Sequence, residues 1–132
     1  MLKYFYPYEY AEDVFSIDYQ GLYDMGFKAV IFDIDNTLVH HGDDSTPEID
    51  RLFGQIHATG LKTLLLTDNT EDRTLSFMKN IDSLYICNAN KPDPSCYKKA
   101  LKMLGVKRNE AVVVGDQIFK DIVGANLSGI PS

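Results

Sequence analysis

The chain has 132 residues, 13 basic against 19 acidic, and a formal net charge of −6. With 45% hydrophobic and 24% charged residues, it fits one globular domain with a real core, and the apolar fraction excludes disorder as the main state. A pI near 4.9 argues against nucleic acid as a partner, but leaves room for a phosphorylated substrate if a metal ion supplies local positive charge.

The N-terminal stretch MLKYFYPYEYAEDVF is aromatic but interrupted by Pro7, Glu9, Glu12 and Asp13, and has no apolar core or small-residue cleavage site of a secretory signal. Its Tyr and Phe side chains suit a segment, residues 1–28, that packs over the domain's own core, with peripheral membrane contact as the alternative. No stretch approaches the roughly 20 apolar residues that span a bilayer, so an integral membrane protein is not expected. Ala29–Phe32 is a continuous apolar run ending at Asp33. Pro47–Thr59 then places Ile49, Leu52, Phe53 and Ile56 on one helical face, with Ser45 or Thr46 to cap it, Pro47 at its first position and Gly60 at its end. Leu61–Leu66 is a second apolar run, ending at Thr67, and Thr70–Lys79 a second helix candidate. Leu84–Cys87 is a third run, followed by Lys91. Ser95–Leu104 is helical, with Tyr97, Ala100, Leu101 and Leu104 on one side and Gly105 after it. Ala111–Val114 is the fourth run, ending at Gly115-Asp116, and Phe119–Asn126 begins another helix.

Short apolar runs alternating with amphipathic helices predict an α/β fold: a Rossmann-like, doubly wound parallel sheet in three αβα layers. The expectation is one domain over residues 1–132, stopping at Ser132 one C-terminal strand short of a full sheet, with an exposed edge or a dimer contact there. Ligands of such sheets bind beyond the carboxyl ends of the strands, where Asp33, Thr67, Lys91 and Asp116 all fall. Cys87 and Cys96 make no disulfide scaffold or zinc motif, and read as two thiols in a reducing, cytoplasmic setting.

Asp33-Ile34-Asp35-Asn36-Thr37 puts two carboxylates at i and i+2, on one side of the chain as it leaves a buried strand. Such a pair is costly unless Mg²⁺ or a retained proton relieves it. Taken alone, the two aspartates also fit a cap or Asx-turn. Asp116 ends a strand and reaches toward the same place, whereas Asp121 also fits a helix cap. Thr67, with Asp68 and Asn69, offers a hydroxyl and backbone N–H groups to a phosphoryl oxygen, or an ordinary helix cap. Lys91, held by Pro92-Asp93-Pro94, either neutralises phosphate charge or is a surface lysine. His40 and His41 read as solvated loop residues and His57 as a helix-surface residue.

In order along the chain, VIFDIDNTL, LLLTDN, NKPDPSCY and GDQIFKD resemble the four motifs of the haloacid dehalogenase (HAD) superfamily, over roughly residues 29–130. More narrowly, FDIDNTLV, NKPDPSCYKKAL and VVVGDQIFKDIVGAN resemble the capless HAD-IIIA phosphatases of the YqeG type. Asp68 departs from the asparagine that often follows the second-motif hydroxyl. The resemblance implies a phosphatase in which Asp33 is the nucleophile and Asp35 the general acid and base. It implies Mg²⁺ on Asp33, Asp35, Asp116 and Asp121, and phosphate bound by Thr67, Asp68, Asn69 and Lys91. Receiver domains also carry a phospho-aspartate on a doubly wound sheet, but theirs ends the third strand, where this chain has Cys87-Asn88.

Only Val39–Ser45 separates the first motif from its helix, too few residues for a cap domain. An open site suits a bulky substrate, such as a lipid head group (phosphatidylglycerophosphate among them), or a site enclosed by a second subunit of a homo-oligomer. The reading from another class is a phosphate-binding or regulatory protein on the same scaffold with little turnover.

Overall fold

The computed structural model describes residues 14–32, 45–87 and 94–114. Four apolar runs form β1 (Ala29–Phe32), β2 (Lys62–Leu66), β3 (Leu84–Ile86) and β4 (Ala111–Val114), joined in one sheet of order β3-β2-β1-β4. Every pairing is parallel, with Phe32 opposite both Leu65 and Val114, and Leu66 opposite Ile86. All four carboxyl ends therefore share one edge, which a parallel sheet needs if the loops that follow are to build one site.

Helices cover both faces, because every residue of β1 is buried and alternate side chains need apolar partners on opposite sides. On one face Val30, Phe32, Leu65 and Val112 meet α1 (Tyr19–Asp24), α2 (Pro47–Thr59) and Phe77 of α3 (Glu71–Phe77). On the other, Ala29, Ile31, Leu64, Leu66, Ile86 and Val113 cluster with Cys96, Tyr97, Ala100 and Leu104 of α4 (Pro94–Leu104). The result is the expected three-layer, doubly wound α/β sheet. Val14, Tyr19, Leu22 and Phe27, from the stretch preceding β1, enter the first of these cores, and the Tyr19 hydroxyl donates to the Val14 carbonyl at 2.6 Å.

α2 has the predicted bounds. Thr46 Oγ1 accepts from Ile49 N at 3.2 Å, Pro47 opens the helix, and Gly60 closes it at φ +105°. A side chain at Gly60 would be strained twice over, since its Cβ would also lie 2.6 Å from the Tyr23 ring. α3 is shorter than the predicted helix: after Phe77 the chain tightens into a 3-10 turn, Met78–Asn80, that brings Ile81 into the core. His57 is not a plain surface residue. Its Nε2 lies 2.8 Å from Thr63 Oγ1, and its ring meets Phe53 edge-on at 6.2 Å. Thr63 in turn donates to Ser83 Oγ at 2.8 Å, so the buried threonine hydroxyl is satisfied.

The edge opposite the carboxyl ends is tied by charge. Lys28 N donates to the Glu110 carbonyl at 2.7 Å, Lys28 Nζ pairs with Glu110 Oε2 at 2.9 Å, and Lys107 N donates to Glu110 Oε1 at 2.8 Å. The backbone bond from Lys107, and then Lys28, hold the Glu110 carboxyl below its ordinary 4.5. A depressed folded pKa stabilises the fold above the unfolded value and loses that contribution as pH falls through the folded one. Glu110→Gln is therefore expected to lower the thermal midpoint at pH 7, with the gap to wild type closing as pH drops below about 4. Thermal melts of both proteins across falling pH check it; a gap that does not narrow as the pH falls contradicts it.

Candidate active site

After exposed Lys62, β2 continues through Thr63, Leu64, Leu65 and Leu66, all buried, and Thr67 is the residue that leaves it. Thr67 N donates to the Ile86 carbonyl at 3.0 Å, continuing the β2–β3 ladder one step past the strand. Its side chain is only 1% exposed. Its hydroxyl oxygen accepts from Asn69 N at 3.0 Å, which folds Thr67, Asp68 and Asn69 into a tight turn at the carboxyl edge. Among the described residues no acceptor takes the hydroxyl proton.

An ordinary helix cap was the plainer alternative for Thr67, and the structure assigns that role to Thr70. Thr70 Oγ1 accepts from Arg73 N at 3.3 Å, and Thr74 Oγ1 donates back to the Thr70 carbonyl at 2.8 Å. The Asn69 amide is engaged by Thr67 itself, whereas among the described residues nothing accepts the threonine hydroxyl's proton. Asp68 is exposed and Asn69 half-buried.

Thr67, Asp68 and Asn69 thus stand together as one turn. Asp33, Asp35, Lys91, Asp116 and Asp121 lie outside the described residues. Asp33 follows Phe32 directly, and Asp116 is the second residue after Val114, the residue paired with Phe32. Among the described residues no group of three His, Cys, Asp or Glu side chains comes together to hold a metal.

A contact that sequence patterns did not signal flanks the turn. The Tyr85 hydroxyl donates to Glu71 Oε2 at 3.2 Å, tying the first residue of α3 to β3. Burial, and then the Glu71 carboxylate, push the Tyr85 phenol above its ordinary value. No local pattern announces such a pair, because the two residues are fourteen apart and meet only through the β2–β3 register.

Residues 41–129 match a family model described as haloacid dehalogenase-like hydrolase. The Bacillus subtilis protein named "Probable phosphatase YqeG" is 30% identical over 128 residues, 96% of this chain and 74% of that protein. The Arabidopsis thaliana phosphatidylglycerophosphate phosphatase 1 is 29% identical over 133 residues, 93% of this chain and 38% of that protein. Among solved structures, the core domain of a Streptococcus pneumoniae protein described as a phosphoglycolate phosphatase superposes with a TM-score of 0.58 at 18% identity, over 79% of this chain and 76% of that one. A Thermotoga maritima protein described as a beta-phosphoglucomutase gives 0.57 at 17% identity, over 79% and 82%. At such identities the structures speak for the fold alone, and they agree with the parallel αβα sheet. Taken with the family match and the coverage of the Bacillus relative, the chain belongs to the haloacid dehalogenase-like hydrolases and is a phosphatase among them.

Proposed function

We propose that the protein is a Mg²⁺-dependent phosphomonoesterase that works through an aspartyl-phosphate on Asp33. The observation that carries this reading is Thr67: a buried hydroxyl at the carboxyl edge, with no capping duty and its proton available to a phosphoryl oxygen. Chain connectivity supports it further, since Asp33 and Asp116 follow the paired ends of β1 and β4, and β1 also pairs with β2, which leads to Thr67.

Asp33 attacks phosphorus in line, its carboxylate oxygen forming the new P–O bond as the ester oxygen departs. Asp35 gives that oxygen its proton, then takes a proton from the water that attacks phosphorus, and the bond to Asp33 breaks to release phosphate. Thr67 and Lys91 hold the phosphoryl oxygens, with Asp68 and Asn69 shaping the turn beneath them. Asp33, the Asp35 carbonyl, Asp116 and Asp121 are the groups that would hold Mg²⁺, which would supply positive charge to the transferring group. The stretch between β1 and α2 has too few residues for a cap domain, which suits a bulky ester. The name of the Arabidopsis relative makes phosphatidylglycerophosphate the first ester to try. A cytoplasmic setting suits the Cys87 and Cys96 thiols, and a homo-oligomer would cover an open edge. No helix among the described residues is long and apolar enough to cross a membrane.

Two variants test the threonine. Thr67→Val is expected to lower kcat/KM on an aryl phosphate roughly a hundred-fold, as loss of one donor to a developing oxyanion does. Thr67→Ser keeps the hydroxyl and is expected to stay within about ten-fold of wild type, since only a methyl group's packing is lost. Equal losses in the two variants would show that bulk rather than the hydroxyl matters, and would overturn the assignment. Thr67→Val also removes the acceptor of Asn69 N, so a stability loss of about 1 kcal/mol accompanies it.

A further inference from the structure

α4 and the turn after it carry Lys98, Lys99, Lys102, Lys107 and Arg108, and no acidic residue lies between Pro94 and Asn109. Five of the chain's 13 basic residues thus fall within 11 positions of a protein whose net charge is −6. All five are exposed, and none is in an ion pair among the described residues. The nearest acid along the chain, Glu110, is already held by Lys28 and by the Lys107 backbone amide.

Helical geometry sorts α4 into two faces. Cys96, Tyr97, Ala100 and Leu104 are buried against the sheet. Lys98 and Lys102, one turn apart, point the opposite way, with Lys99 beside them. Apolar side chains flank the lysines on both sides: Met103 is 41% exposed, and Leu101 is only partly buried. Like charges one turn apart weaken a helix, and a merely solvated face intersperses both signs. A lysine face bordered by Leu and Met, about one turn long on a helix of 11 residues and without an ion pair among the described residues, has the composition of a helix that lies against an anionic, partly apolar surface. The acidity of the rest of the molecule opposes this little, since charges beyond about 8 Å are screened at physiological salt.

We infer that the outer face of α4 docks the protein on an anionic lipid bilayer, the lysines meeting head groups and Met103 the interfacial layer. A bilayer fits better than nucleic acid, because the face offers no aromatic platform for bases; Tyr97 is buried. α4 starts on the side where β3 ends, so docking along it sets the catalytic edge beside the surface. The inference rests on charge and exposure and is independent of which ester is hydrolysed.

Vesicle co-sedimentation of the full chain tests it, with phosphatidylglycerol-containing vesicles against phosphatidylcholine alone. Wild type is expected to bind the anionic vesicles only, and to be released by 1 M salt. A Lys98→Gln, Lys99→Gln, Lys102→Gln triple variant is expected to bind on the order of a hundred-fold more weakly, whereas the matching Lys→Arg triple retains binding. Both triples are expected to hydrolyse a soluble aryl phosphate at the wild-type rate, so a failed docking is distinguishable from a failed phosphatase. No wild-type binding, or equal binding by the Gln triple, would overturn the inference. Tighter binding to a short DNA duplex than to the vesicles, lost in the Gln triple, would overturn it in favour of nucleic acid.

Discussion

Asp33→Asn is expected to abolish phosphate release, with a loss of at least about a thousand-fold in kcat and no change in fold. An amide keeps the size and shape of the carboxylate, but it replaces one acceptor oxygen by an NH2 donor, is a poor nucleophile and lacks the charge that a cation site needs. Asp33 is the residue after Phe32, which is fully buried and paired on both sides, so the substitution leaves the strand that presents it untouched. Phosphate release from an aryl phosphate in Mg²⁺, with circular dichroism as the fold control, measures the effect. EDTA is expected to reproduce the loss in wild type, and added Mg²⁺ to restore it. Equal rates for the two proteins would remove Asp33 from the chemistry.

Phe32→Ala should be the most destabilising single change in the described core, at about 3–5 kcal/mol. Phe32 is 0% exposed and lies between the Phe53 ring, centroids 5.3 Å apart, and the Tyr19 ring at 6.3 Å. Its ring joins β1 to α1 and α2, so truncation leaves a cavity that a sheet paired on both sides collapses into poorly. A typical domain has only about 5–15 kcal/mol in hand, so a large share of the stability goes. Urea unfolding of the two proteins measures this. A loss below about 1 kcal/mol would mean that the aromatic cluster is not the keystone its geometry indicates.

How far residue order determines these features differs from element to element. The strands and α2 were legible because their patterns are unambiguous: four apolar runs ending in polar residues, and Ile49, Leu52, Phe53 and Ile56 between Thr46 and Gly60. α1 was not, since six residues with Gly21 in their midst carry little helical signal; the Asp18 carboxylate, accepting from Gly21 N at 2.9 Å, holds its start. Thr67 and Thr70 stand three apart, and either fits a cap on sequence grounds. Only the ladder bond from Thr67 N to Ile86 settles which one stays with the strand. His57 is one turn from Phe53, but its engagement depends on Thr63, which the α2–β2 turn brings beneath it. A net charge of −6 hides segregation, because a sum carries no position: every charged residue of the helix that covers one face of the sheet is a lysine, and all of them are exposed. For the site, the motifs name Asp33, Asp35, Lys91, Asp116 and Asp121, and the described geometry adds the turn at Thr67 and the paired strand ends that lead toward Asp33 and Asp116.

The most direct measurement is to stop turnover by acid quench, reduce the acyl phosphate with borohydride, and map the modified residue by peptide mass spectrometry. Reduction of an aspartyl-phosphate converts the aspartate to homoserine, and that change is expected at Asp33, only with substrate and Mg²⁺ present, and not in Asp33→Asn. Steady turnover with an unmodified Asp33, or with the label on another carboxylate, would contradict the covalent mechanism.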